Sequence, residues 1–507
     1  MVYREEGALA DLARIVGDLG RDGGLMTPSV YDTAQVLRFA PPADPGPAVT
    51  WLLSLQAEDG GWGDIDVPLA RHVPTLASIL ALASIARGAR GGDLDGRTAI
   101  LRGIEFLRRH VDDWRPPLPE DVPVGVELLF PKLLDDAAAL GLDLPTEPYE
   151  AVFTLSNRRR RLLASTPAER LARTQAMHSW EAWGDEPEAN LINAAGAIGD
   201  SPAATARFLA RSADRPALQG ASARARDYLQ RASRATGVEA AGVVPTAWPI
   251  HRFEQAFGLY ALTIAGLHEH PSLASAAARQ LDDLGYALGP FGLAVSDSFI
   301  PDGDDTAAAI VALRIAGRPV DLAPLRRFEE DGHYCTWPHE LQPSVSVNAR
   351  AIHALSLFGE DTSGPRRFLL ERQMTDGRFG RDKWNCSWVY TTAHGVMALA
   401  EGGDPAPREA AVTALLAGQR ADGGFGAGQE PTDIETAWAI LALRCGPPAV
   451  AAAVERARRF LAERLASRRS RSPRWWLAKE TYGTPRVDRT VELCALLAPT
   501  PATFERA

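Results

Sequence analysis

Ser298-Phe299-Ile300-Pro301-Asp302-Gly303-Asp304-Asp305-Thr306-Ala307-Ala308-Ala309-Ile310 sets three carboxylates within four residues, directly ahead of an Ala-rich run. Ala favours helix, Asp is a good N-cap, and acidic first-turn residues complement the positive helix end. The stretch therefore predicts a helix that starts at its acids. Carboxylates held this close do not all ionise easily, so one of them is expected to keep a proton at neutral pH. The helix N-terminus and neighbouring donors would stabilise the anion left when that proton departs. Such a group suits protonation of a poor base such as an alkene, although an Asp-rich helix cap without chemistry fits the same residues.

The run that follows repeats down the chain. Asp305-Thr-Ala-Ala-Ala-Ile-Val-Ala-Leu313 aligns with the segments 347–355, 391–399 and 435–443, whose third-position alanines are Ala349, Ala393 and Ala437. Measured from Ala307 the spacings are 42, 44 and 44 residues, a period that fits a helical-hairpin repeat. Small residues at fixed helical positions allow close approach of neighbouring helices, as a closed ring of helix pairs requires. Between these helices lie Gly-rich turns, Gln373-Met-Thr-Asp376-Gly377-Arg-Phe379 and Gln419-Arg-Ala-Asp422-Gly423-Gly424-Phe425, with Asp331-Gly332-His333-Tyr334 as a degenerate copy. Gly supplies the backbone angles, Asp bonds the turn, and the aromatic covers a helix end, so these are structural staples. Gln56-Ala-Glu58-Asp59-Gly60-Gly61-Trp62 has the same form near the N-terminus and is followed by Pro74-Thr-Leu-Ala-Ser-Ile-Leu-Ala-Leu82. The N-terminal half is therefore expected to form a second helical barrel, and the chain to be all-α.

Length and composition narrow the field. A chain of 507 residues exceeds one typical core, so two domains are expected. The net charge of −10 argues against a broad nucleic-acid surface. The basic runs Arg158–Arg161 and Arg468–Arg474 read as solvated faces or loops. Four cysteines without CxxC pairing fit a reducing cytoplasm. No signal-peptide core or bilayer-spanning apolar run is expected.

Acid cluster and turns together make the chain resemble a class II terpene cyclase of the bacterial diterpene-cyclase type. Asp302-Gly303-Asp304-Asp305-Thr306-Ala307 matches that family's DxDDTA motif. Further matching segments, in family order, include Pro28–Ala34, Val73–Ala77, Pro123–Pro131, Ser201–Ala206, Pro249–Glu254, Asp382-Lys383-Trp384-Asn385 and Lys479-Glu480-Thr481-Tyr482. The resemblance implies two α/α barrels with the active site between them. One, the β domain, would join residues 1–30 to 260–507, and the inserted γ domain would span 31–259. The class I ionising motif DDxxD is missing from Asp135-Asp136 and Asp282-Asp283, so loss of diphosphate is not the expected first step.

By the same resemblance Asp304 is the general acid for the terminal alkene of a linear prenyl diphosphate, with Asp302 and Asp305 supporting it. Asp305 serves equally well as a helix cap. The implied product is a bicyclic diphosphate, labdane-type from geranylgeranyl diphosphate or drimane-type from farnesyl diphosphate, for a downstream class I synthase or phosphatase to consume. Aromatic faces steady a moving cation without attacking it, and Trp180, Trp248, Trp337, Trp384, Trp388 and Tyr390 are the candidates. Lys383 and Lys479, then Arg381 and Arg71, are the candidate partners of the retained diphosphate. Glu58, Asp59, Asp64 and Asp66, with Glu127, are candidate oxygen ligands for Mg2+. His72, His251, His394 or a water would serve as the final base. Trp388 stands where a smaller residue or proline is usual, and a bulky indole there would shorten the pocket towards the farnesyl substrate. Squalene–hopene cyclisation, an (α/α)-barrel glycosidase and a helical-repeat binding scaffold are the rivals.

Overall fold

The computed structural model describes residues 5–88, 94–118, 122–171, 174–340, 342–400, 402–444, 446–467 and 474–499. The basic run at 468–474 lies, but for Arg474, outside the described residues. Six helices close a ring: His251–Ile264, Gly303–Ile315, Val345–Leu357, Trp388–Ala398, Asp433–Leu443 and Pro485–Leu497. Each packs on the next, and the last on the first. Most residues of these helices are buried, and Gly303–Ile315, Trp388–Ala398 and Asp433–Leu443 are apolar nearly all round, as helices inside a core are. In Gly303–Ile315 every residue through Leu313 is buried. The repeat alanines Ala307, Ala349, Ala393 and Ala437 are at most 2% exposed, which lets the inner helices touch.

An outer layer is amphipathic. Ala451–Ala466, for example, buries Ala453, Val454, Ala457, Phe460, Leu461 and Leu465 on one stripe. The N-terminal helix Glu5–Asp18 completes this layer, packing on Pro485–Leu497 and on Ala274–Ala287. Val30–Phe39, His72–Gly88, Val126–Ala139, Trp180–Trp183 and Pro202–Ser212 close a second ring. The expected boundary at residue 259/260 cuts through His251–Ile264. Phe253, Ala256, Phe257 and Leu259 all lie in the core of the first ring, so the helix sides with that ring along its length.

The turns are staples, as expected. Gln373 Nε2 donates to the carbonyl of Gly377 at 3.0 Å and to that of Pro407 at 2.7 Å, tying a turn to the next outer helix. Gln56 and Gln419 repeat the arrangement. Gly60, Gly377 and Gly423 have φ of 94°, 86° and 95°, the left-handed region that glycine enters freely. The backbone N–H of Trp62, Phe379 and Phe425 then donates to Thr75, Thr392 and Thr436 of the following inner helix. Thr306 of the acid motif takes the same part towards Leu293. One expectation fails: within the 20-residue segment Pro68–Arg87 an 18-residue window has mean hydropathy 1.4, enough by length and composition alone to span a bilayer. Its apolarity serves the second ring, since 72% of that window is buried.

Candidate active site

Asp302 caps the Gly303–Ile315 helix: its Oδ1 accepts from the backbone N–H of Asp304 at 2.9 Å and of Asp305 at 2.8 Å. Capping thus falls to Asp302 and leaves Asp305 free of that task. Gly303 N–H donates to Thr336 O at 2.9 Å, and a Cβ at Gly303 would collide with the carbonyl of Cys335. The middle position of this motif therefore has to be glycine in this chain. Asp304 faces the buried Arg350, whose Nε and Nη2 donate to its two oxygens at 2.6 and 2.7 Å. Arg350 Nη1 donates to Tyr390 Oη at 2.7 Å. Both oxygens of Asp305 are buried without a donor. Burial pushes Asp302 up to about 7 and Asp305 well above the usual carboxylate range, the negative charge of Asp302 adding to the rise at Asp305.

The surroundings are aromatic. Tyr390 packs edge-on against Trp475 and Trp476 at 4.7 and 5.6 Å, and Phe257 lies 4.9 Å beneath the guanidinium of Arg350. On the other side Phe299, Trp337 and Trp384 stand edge to face at 6.3 and 5.5 Å. Trp384 Nε1 donates at 2.7 Å to Oγ1 of Thr336, the same residue whose carbonyl holds Gly303. The arrangement is a buried carboxylate cluster in which burial favours the protonated form of Asp302 and Asp305, with aromatic rings on neighbouring elements.

Comparison with known proteins bears on this geometry. No protein-family model matches the chain. It is 42% identical over 512 residues to (+)-kolavenyl diphosphate synthase of Herpetosiphon aurantiacus, covering 97% of both chains. The chain belongs to the class II terpene cyclases. It is also 33% identical to ent-copalyl diphosphate synthase of Streptomyces sp. KO-3988, over 95% of this chain and 94% of that one. The ent-copalyl diphosphate synthase structure from Streptomyces platensis superposes with a TM-score of 0.77 at 28% identity, covering 97% of this chain and 99% of that one.

Several residues expected in this cyclase's site have other work. Lys479 Nζ bonds Glu181 at 2.9 Å, Asp32 at 3.3 Å and Ser201 Oγ at 2.7 Å, all buried, so it is consumed between the rings. Lys383 is paired with Glu340, which also accepts from the N–H of Thr336 and Trp337. Trp388 packs against Gly418 and under Arg378, 5.1 Å away, and gives no ground for a shortened pocket. Trp248 and Trp180 are packing residues of the second ring's core.

The expected Mg2+ ligands do not assemble. Asp59 gives both oxygens to Arg71 at 2.6 and 2.7 Å, Glu58 is exposed, and Asp64 bonds the N–H of Asp66 at 3.0 Å. Glu127 pairs with Arg159 at 3.3 Å. Among the described residues no group of three His, Cys, Asp or Glu could hold a metal. Arg381 and the Asp59-paired Arg71 line one cavity of about 540 Å3, together with Asp59 and Asp113 and with Ile65, Val67 and Phe106 as apolar wall.

Of the histidines, His72 bonds the carbonyl of His110 among core aromatics, and His251 pairs with Asp297 at the surface. His394 lies 3.4 Å from Arg350. Sequence reasoning missed Arg350 and also His178. The ring of His178 stands edge-on to Phe299 at 6.2 Å, and its Nδ1 lies 2.8 Å from the carbonyl of Gly199. The only signal for Arg350 was a charged residue inside an Ala-rich inner-helix repeat.

Proposed function

We propose that this cyclase converts geranylgeranyl diphosphate into a bicyclic labdane-type diphosphate, with proton transfer from Asp304 as the first step. The observation that carries the reading is the buried Asp302–Asp304–Asp305 cluster at the head of an inner-ring helix. Asp304 is its most accessible member, at 8% exposure against 3% and 2% for the other two. Its O–H bond breaks as the π pair of the terminal alkene forms a C–H bond, and the carboxylate left behind rests on Arg350. The next two alkenes close two rings onto the tertiary cation, whose charge passes Trp337, Trp384, Phe299 and Tyr390. Loss of a different proton to a base ends the reaction, so the change is an isomerisation. The diphosphate survives, as the names kolavenyl and copalyl diphosphate synthase state for the relatives. The farnesyl alternative loses its structural ground with the outward packing of Trp388.

We assign the diphosphate to the cavity beside Arg381, where it would compete with Asp59 for Arg71. We further infer a two-domain division at the crossings near residues 29 and 250, a cytoplasmic setting consistent with buried free Cys335 and Cys494, and consumption of the product by a class I synthase or a phosphatase. Incubation with C15 and C20 prenyl diphosphates, followed by dephosphorylation and product analysis, tests the reading. A bicyclic C20 alcohol from the wild type and none from Asp304→Asn is expected. Appreciable bicyclic product from the folded variant contradicts it.

A further inference from the structure

Ahead of the second ring's Pro202–Ser212 helix two consecutive residues enter the left-handed backbone region, Gly199 at φ 53° and Asp200 at φ 49°. A Cβ at Gly199 would collide with the backbone of Met177 and His178, so glycine is required there. Asp200 is 1% exposed, and a buried non-glycine residue keeps this conformation only where its surroundings over-determine it. The corner aims two groups. The carbonyl of Gly199 meets Nδ1 of His178 at 2.8 Å. The carboxylate of Asp200 reaches out of the second ring to the loop ahead of the acid motif. There its Oδ2 accepts from Ser296 Oγ, and Ser298 Oγ stands 3.0 Å from both of its oxygens. Asn193 Nδ2 completes the clamp, donating to Asp200 Oδ1 at 2.7 Å and to the carbonyl of Ser298 at 3.2 Å.

This loop is stitched to both rings in turn. The carbonyl of Val295 accepts from the N–H of Arg252 and Phe253, and Asp297 pairs with Arg252, all on the first ring's His251–Ile264 helix. Ser296 and Ser298 are held from the second ring instead. Further along, the N–H of Asp302 donates back to the carbonyl of Leu293 at 2.9 Å. Phe299 lies between the clamp and Asp302. Its N–H donates to the carbonyl of Ser296 at 3.3 Å. Its phenyl stands edge-on to His178 of the second ring at 6.2 Å and to Trp337 of the first at 6.3 Å. The phenyl thus sits where side chains of the two rings meet, on a backbone fastened by Asp200.

Resting on the cyclase reading above, we propose that Asp200 is a positioning residue for product choice. By clamping Ser296 and Ser298 from the second ring it holds Phe299 beside the path of the cation, and so sets how far cyclisation runs before the charge is lost. A phenyl face steadies a cation only at close range. Without the clamp Phe299 leaves its place, and the cation meets a weaker wall with room for water. Two early exits then compete with closure of the second ring system. The first tertiary cation sheds a proton to leave a monocyclic diphosphate, or water adds to a cation and sheds a proton to leave a hydroxylated diphosphate.

The test is the ratio of products formed from geranylgeranyl diphosphate by the full-length wild type, Asp200→Ala, Asp200→Asn, Phe299→Leu and Gly377→Ala, read by mass spectrometry after dephosphorylation. Loss of folded enzyme lowers total product and leaves the ratio alone, so the ratio separates positioning from stability. In Asp200→Ala the monocyclic and hydroxylated products should rise about tenfold relative to the bicyclic one, the change that about 1.4 kcal/mol between competing barriers makes. Phe299→Leu should give the same side products with the clamp intact. Asp200→Asn, which keeps one acceptor oxygen for the serines, should give a smaller rise. Turnover falls in Asp200→Ala as well, because the loop runs into the acid motif. Gly377→Ala, strained at a turn outside this loop, should keep the wild-type ratio. A wild-type ratio from Asp200→Ala, or an equal shift in Gly377→Ala, overturns the proposal. Should Asp200→Ala not fold, Ser298→Ala decides, since it removes one donor and leaves the carboxylate. A raised share of side products is expected from it, and a wild-type ratio overturns the proposal. Failure of the cyclase reading itself is distinct: no bicyclic product from the wild type.

Discussion

Lys479 shows how far a residue's type can mislead without its partners. As a lone lysine in a family motif it suggests a diphosphate ligand, but its charge is balanced by Glu181 and Asp32, 298 and 447 residues away in the chain. Nothing in local spacing reveals such a triad. Lys479→Met would leave two buried carboxylates without their cation, and breaking a buried pair from one side costs about 3–5 kcal/mol. Denaturant unfolding measures this, and a loss below about 1 kcal/mol would assign the triad no structural weight. Arg350 illustrates the converse. It stands inside a repeat segment legible as an inner helix, but its pairing with Asp304 depends on which faces of two neighbouring helices meet. The acids themselves were legible because crowding of like charges at a helix start is a local property.

At the scale of the element, sequence reading succeeded wherever one short device recurs. The Gln-x-x-Asp-Gly turn needs its glycine for a left-handed backbone, its Asp for an N–H two residues on, and its Gln for two carbonyls. All three demands are visible as residue types. At Gly377, φ is 86° and a Cβ would press on the carbonyl of Ala410. Gly377→Ala should therefore cost about 2 kcal/mol or more. Gly380, three residues on, has open space where a Cβ would go, and Gly380→Ala should be close to neutral. Equal thermal shifts in the two variants would show that the turn geometry carries no weight. The domain boundary was less legible, because the glycines and prolines ahead of His251–Ile264 (Gly237, Gly242, Pro245, Pro249) look like those of any other turn in this chain. Only its packing assigns it to the first ring.

At the scale of the molecule, the ring of six helices closes because His251–Ile264 and Pro485–Leu497 meet, a contact between its first and last helices that no periodicity predicts. The two rings are then pinned by buried polar contacts: Lys479 to Asp32 and Glu181, Glu480 to the N–H of Val30, and Asp200 to Ser296 and Ser298. The last of these fixes the loop that leads into the acid motif, so the relation between rings also sets where Asp304 points. The central claim is that a solvent-exchangeable carboxylic acid starts the reaction by adding its proton to carbon. Turnover of geranylgeranyl diphosphate in D2O measures this directly. The account predicts a bicyclic diphosphate carrying a single deuterium on a carbon of the first ring closed, with no inorganic diphosphate released. A product without deuterium, or release of diphosphate in step with turnover, would contradict it.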